Sequence, residues 1–456
     1  MPVEALASQL PAVLAPALGL DAVAISIEGL RRMTGGASRA TWAFDAVTGA
    51  GRRALILRTG PPDDIHADME TEAAAQAAAS AAGAPVPRIL VADNSVAALG
   101  NPFLICEAVP GETVVRRIFR QLDATDGQTG RSRLLTQCGQ ALAAIHRADP
   151  AGVGLVAEDQ LSECRGQLDG MGDTTATFEL AFRWLAANRP SATPPRLVHG
   201  DFRMGNLIVD GSDLAAVLDW ELVHLGDVCE DLAWFCIRAW RFGAPAEHGA
   251  GGLGSIDSFL AAYEQAGGTP VDRERFRWWL VLATLRWGVI CRWQAERHLS
   301  GQTRSVELAT IGRRVAETEW DLLDLLGVPA GEAGSASPSQ KASATTADYG
   351  RPTATELVAA VAEFLETDVR AATDGQVAFH ARVAANALHI VERELLDTSA
   401  GESARALTGF GFADEAELAA AIRSGELDPD TAGVSAGLRT LVRRRLAAAH
   451  PGYDRG

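Results

Sequence analysis

The stretch Leu197-Val-His-Gly-Asp-Phe-Arg-Met-Gly-Asn-Leu-Ile-Val209, with Val217-Leu-Asp-Trp-Glu221 shortly after it, decides how this chain is read. The runs Arg196-Leu-Val and Leu207-Ile-Val have the composition of short strands. Asp210-Gly-Ser-Asp213 reads as a turn, and Ala215-Ala-Val-Leu218 as a returning strand. Asp201 and Asn206 then bracket a loop, and Asp219 sits just past the end of the returning strand. Two carboxylates and a carboxamide around one strand–turn–strand suit phosphoryl transfer. One group can take a proton from an attacking hydroxyl, and two can hold a magnesium ion against phosphate charge. Asp and Asn also favour turns through local hydrogen bonds, but that preference leaves the joint spacing unexplained.

The Asp-x-x-x-x-Asn spacing between apolar strands matches a kinase catalytic loop, in which the Asp faces the hydroxyl and the Asn binds metal. His199-Gly-Asp-Phe-Arg-Met-Gly-Asn206, Asp219-Trp-Glu221 and Gly226-Asp-x-x-x-Asp231-Leu-Ala-Trp234 together resemble the aminoglycoside phosphotransferase family. The likeness is closest to the branch related to the kinase-like domain fused to some acyl-CoA dehydrogenases, and it covers roughly the first 330 residues. It implies an α+β, two-lobed protein-kinase-like fold and a kinase that uses ATP and Mg2+. It also implies a small-molecule hydroxyl acceptor, either an aminoglycoside-like amino sugar or a hydroxyacyl-CoA-like thioester.

Under that reading Asp201 is the catalytic group, and Asn206 and Asp219 are the metal ligands. Arg203 either supports Asp201 or meets an anionic acceptor. His199 reads as structural, because Asp201 already fills the role of base. Glu221 either touches metal or acceptor or merely ends its strand. Asp227 and Asp231, ahead of an apolar helix, read as capping and loop-bracing residues. The pairs Trp234/Trp240 and Trp278/Trp279 read mainly as core.

The nucleotide side is read upstream. Gly35, Gly36 and Ser38 lie between two predicted strands, in a loop whose backbone can approach phosphate. Kinase-like folds place a Lys on the third strand, paired with a Glu on the next helix. Here Arg58 stands at that strand position with Glu72 as its expected partner, and Lys341 is the only lysine of the chain. Pro102 to Gly111 resembles the interlobe hinge, with Glu107 and Val109 marking the adenine edge. A binding module of the same fold without catalysis is the rival reading, and the absent lysine is its support.

The remaining expectations are organisational. A β-rich N-lobe to about residue 107 and a helical C-lobe from about 112 to 328 make up a domain at 1–328. The small, polar stretch 329–350 reads as a linker. Residues 351–456 read as a small all-helical accessory domain, a candidate docking or homo-oligomer unit. It opens on a capping box at Thr353-Ala-Thr-Glu356. The formal charge of −17 over 456 residues argues against a nucleic-acid or acidic-membrane partner. Six scattered cysteines without a Cys-x-x-Cys pair suit buried apolar positions in a reducing compartment. With no apolar run long enough for a membrane span and no leader-like N-terminus, the expected location is cytoplasmic.

Overall fold

Alternation and periodicity build the architecture element by element. The structure is a computed structural model and describes residues 3–33, 39–61, 66–329, 353–397, 400–427 and 433–455. An N-terminal helix α1 (Val3–Leu18) precedes strands β1 (Ser26–Arg32), β2 (Ala40–Thr48) and β3 (Gly51–Thr59). Helix α2 (Met69–Ala81) and strands β4 (Ile89–Asp93) and β5 (Phe103–Glu107) follow. The five strands form one antiparallel sheet in the order β1-β2-β3-β5-β4. Leu55 and Leu57 of β3 point to one face, where they pack with Leu6, Leu10 and Leu14 of α1 and with Phe44, Phe103 and Ile105. The period of two sends Ile56 and Arg58 to the other face, under α2. There Ile56 packs with Met69, Leu104 and Cys106. Asp68 caps α2, and Met69, Glu72, Ala75, Gln76 and Ala79 form its buried stripe. Arg58 and Glu72 are thereby aimed at one another by two different periodicities.

Helices then dominate: α3 (Val115–Thr125), α4 (Gly127–Arg147), α5 (Gln160–Gly170) and α6 (Ala176–Ala187). Strand β6 (Arg196–Val198) leads into the functional loop, and β7 (Leu207–Asp210) pairs with β8 (Asp213–Val217). Gly211, at φ +64°, supplies the positive φ that a two-residue hairpin turn asks for. Strand β9 (His224–Gly226) returns to pair with β6, and α7 (Val228–Cys236) starts on the Asp227 cap. Helices α8 (Ile256–Gln265) and α9 (Arg273–Leu299) follow.

Two helical segments are interrupted. The segment 230–241 ends as α-helix at Cys236 and resumes as a 3-10 turn at Arg238, because Ile237 adopts extended backbone, ψ 147°. The segment 306–326 divides into α10 (Val306–Gly312) and α11 (Val315–Leu325). Gly312 lies at the break, where a Cβ would meet that of Ala295 at 2.6 Å. Beyond the undescribed residues 330–352 come α12 (Ala354–Phe364), a π-helical turn (Leu365–Val369), α13 (Arg370–Ala372) and α14 (Gly375–Leu396). The chain ends in α15 (Ala400–Gly409), α16 (Glu415–Ser424) and α17 (Val434–Ala449). The Thr353/Glu356 capping box forms as expected.

The chain divides into two compact units. One holds residues 1–158 and 191–280, with the sheet and the whole functional loop; the other holds residues 159–190 and 281–456. The second unit has its own apolar core, in which Leu180 of α6 and Trp320 and Leu323 of α11 meet Leu418, Ile422, Leu438 and Leu441. The break between units therefore falls elsewhere than the change of composition at 329–350. All six cysteines are buried and reduced, and among the described residues no helix is long and apolar enough to cross a membrane.

Candidate active site

The functional loop is a set of polar groups held by apolar anchors. Phe202, Met204, Leu207 and Trp220 are fully buried, so the backbone between them is fixed; it holds Asp201 and Asp219 part-exposed and Asn206 buried beside them. Gly200 has φ +81°, and a Cβ there would lie 2.3 Å from the Leu222 carbonyl oxygen. Asp219 itself sits at φ 67°, the left-handed region that Asp tolerates better than most residues.

Four donor contacts orient the Asp201 carboxylate. Trp234 Nε1 donates to Oδ1 at 2.7 Å, Asn206 Nδ2 to Oδ2 at 2.7 Å, and Arg203 Nε lies 3.1 Å from both oxygens. The Arg203 guanidinium also lies 5.1 Å from the Trp240 ring centroid. Arg203 is thus placed as a support for Asp201. The Trp234 contact was not foreseen, since an indole in an apolar helix reads as core and only the fold reveals its N–H partner.

Behind the loop, Asp231 accepts from the backbone N–H groups of His199 and Gly200 at 2.7 and 2.8 Å, and from His146 Nε2 at 3.1 Å. His146 Nδ1 is 2.9 Å from the Tyr263 hydroxyl. Burial pushes the Asp231 carboxyl up, but these donors outweigh it and hold the group below the usual carboxylate range. Burial lowers the pKa of His199, against the pull of Asp231, Asp201 and Asp219. Its ring has one consistent tautomer. Nε2–H donates to the Leu218 carbonyl at 2.9 Å, and Nδ1 accepts from the Asp201 N–H at 3.2 Å. Both nitrogens are committed to backbone, so His199 acts structurally.

On the sheet side, Arg58 donates to Glu72 at 2.9 Å, to Asp219 at 2.7 Å and to Glu221 at 3.3 Å. Glu72 is fully buried and is shared with Arg39, which also donates to the Ala67 carbonyl at 2.6 Å. Glu221 further faces His66 at 3.6 Å. Neither expectation for Glu221 anticipated this arrangement, in which it closes an ion network around Arg58. Arg39 was missed altogether: it follows a glycine-rich stretch of sequence, and its partner lies on α2. The expected phosphate-loop residues Gly35, Gly36 and Ser38 fall outside the described residues. At the expected hinge, the Glu107 and Ala108 N–H groups bond Arg88 and Ala54 carbonyls, both at 2.9 Å. Among the described residues the Val109 N–H has no acceptor.

The donor set suits a hard divalent cation. Asn206 commits its Nδ2 to Asp201, which leaves the carbonyl Oδ1 facing away from that contact, and Asp219 offers carboxylate oxygen. Among the described residues no three His, Cys, Asp or Glu side chains form a metal cage. Oxygen donors of this kind are the type that magnesium, which takes few protein ligands, accepts.

Relatives bear on this geometry. Residues 371–453 match a domain of unknown function, DUF6285. Acyl-CoA dehydrogenase family member 10 of Mus musculus is 26% identical over 296 residues, covering 59% of this chain and 27% of its own length. Family member 11 of Pongo abelii is 27% identical over 297 residues, covering 59% of this chain and 37% of its own length. The chain thus spans well under half of these curated relatives. A Ralstonia eutropha structure named for the aminoglycoside phosphotransferases superposes with a TM-score of 0.55 at 21% identity, over 70% of this chain and 97% of its own, and so shares the fold. The profile of the phosphotransferase enzyme family, APH, matches residues 29–279, more than half of the chain and ending where the first compact unit ends. This chain, with its β-rich N-lobe and helical C-lobe, belongs to the APH phosphotransferase family.

Proposed function

We propose that this phosphotransferase is a small-molecule kinase that uses ATP and magnesium to phosphorylate an acceptor hydroxyl. The observation that carries the reading is the convergence of Asp201, Asn206 and Asp219 on one loop system, with the strand cation Arg58 2.7 Å from Asp219. Asp201 receives or orients the hydroxyl proton, and Trp234, Arg203 and Asn206 hold its carboxylate in one orientation beforehand. Arg58, permanently charged and able to make paired hydrogen bonds, is the phosphate-facing cation, and Glu72 fixes its stem. The Val109 N–H, without an acceptor among the described residues, is the hinge donor for adenine. Asn206 and Asp219 hold magnesium, which when bound neutralises phosphate charge.

For the acceptor, the names of the relatives favour a hydroxyacyl thioester over an amino sugar. The test is γ-phosphoryl transfer from labelled ATP to a hydroxyacyl-CoA series, an aminoglycoside series and an unfractionated metabolite pool. Transfer should appear with one class and fall by about 10²-fold or more in Asp201→Asn. ATP binding without transfer to any pool would replace this reading with the silent binding module. Arg58→Ala should weaken ATP use by about tenfold, the loss of one charge-assisted hydrogen bond; unchanged ATP kinetics would remove it from the phosphate site.

A further inference from the structure

Among the described residues, 17 large apolar side chains are exposed, and eight of them lie on α12 and α14. Leu357, Val361 and Phe364 recur along α12 at intervals of four and three, so they share one face. Val377, Val391 and Leu395 of α14 are separated by close to whole numbers of helical turns and share another. The positions that α12 and α14 bury are mostly small: Ala362 on the first, and Ala381 and Ala385 beside Ile390 on the second. This helix pair therefore keeps its small residues inside and its large apolar residues outside, the reverse of what a helical hairpin needs to stand alone.

We infer that the exposed apolar faces of α12 and α14 form a homodimer interface, and that their occupant is the same pair of helices from a second copy of this chain. The exposed side chains present on the order of 700 Å2 of accessible surface. A standard interface takes about 800 Å2 from each partner. A two-fold axis that lays α12 of one copy across α14 of the other completes a four-helix bundle.

The full-length protein tests this by light scattering and sedimentation across a concentration series. The expected mass is twice the 48.0 kDa of one chain. Val361→Glu combined with Leu395→Glu should return it to one chain mass with unchanged helical circular dichroism, since both positions are half exposed. Hydrogen exchange on the wild type is independent of whether that variant folds. Residues 357–364 and 388–396 should exchange more slowly at high than at low concentration. A single-chain mass at every concentration, a dimer indifferent to both substitutions, or exchange in these segments that ignores concentration would each overturn the inference.

Discussion

Asp201 has the exposure of a reactive group and the hydrogen bonding of a fixed one. Its indole contact is the clearest test of the difference. Trp234→Phe keeps a ring in place and removes one donor, so it should lower the rate of transfer by about tenfold while leaving the affinity for ATP unchanged. Single-turnover kinetics beside equilibrium nucleotide binding would separate the two. Arg39→Met acts elsewhere. It takes one of two guanidinium partners from a fully buried Glu72, and should cost about 2 kcal/mol of stability by denaturant unfolding.

His199 predicts a pH dependence. Its folded pKa lies below the unfolded value of about 6.5, so below that pH the unfolded chain takes up a proton that the folded chain refuses. Stability should therefore be indifferent to this residue above about pH 6.5 and decline as pH falls below it. His199→Gln should flatten that part of a thermal-midpoint profile, while Asp231, also depressed, contributes its loss at lower pH. At this scale Asp201, Asn206, Asp219, Arg58 and Glu72 could be picked out from motif and spacing. Arg39 and Trp234 could not, because each acquires its meaning from a partner some 33 positions away that only folding brings near.

The elements divide by how local their causes are. Strand β3, helix α2 and the β7–β8 hairpin were legible because alternation, a capping Asp and a Gly-Ser turn all lie within the segment they shape. The breaks at Ile237 and Gly312 were not, since the residues there are compatible with helix and the interruption answers to packing. Gly200 belongs to a third class, a residue whose necessity is visible only beside the Leu222 carbonyl. Gly200→Ala should destabilise by at least about 2 kcal/mol, through both its positive φ and the collision with backbone. Thermal unfolding in the absence of ligand would measure this, and wild-type stability in the variant would mean that the loop can relax around a methyl group.

For the molecule as a whole, the C-terminal helices contribute core to the second unit. Arg439 is buried, lies 4.3 Å from the Trp320 ring centroid and donates to Asp324 and to the Val328 carbonyl, each at 2.6 Å. Arg445 meets fully buried Glu319 at 2.7 Å. Removing residues 353–456 would bare Trp320 and Leu323 and take from Glu319 its cation, Arg445. The shortened chain should therefore aggregate or melt well below the full-length protein, as differential scanning calorimetry would record. Composition did not reveal this shared core, because a change of composition says nothing of what the segments beyond it pack against.

The arginine at position 58 has one more consequence. A kinase-like site normally exposes a nucleophilic amine beside its phosphates, the group that acyl-phosphate nucleotide reagents capture. Here the strand cation is a guanidinium, and the single amine side chain of the protein is far along the sequence at Lys341. Such reagents should acylate no amine side chain within residues 39–329, which hold no lysine. The guanidinium at position 58 is itself a poor nucleophile toward an acylating reagent, because it stays protonated.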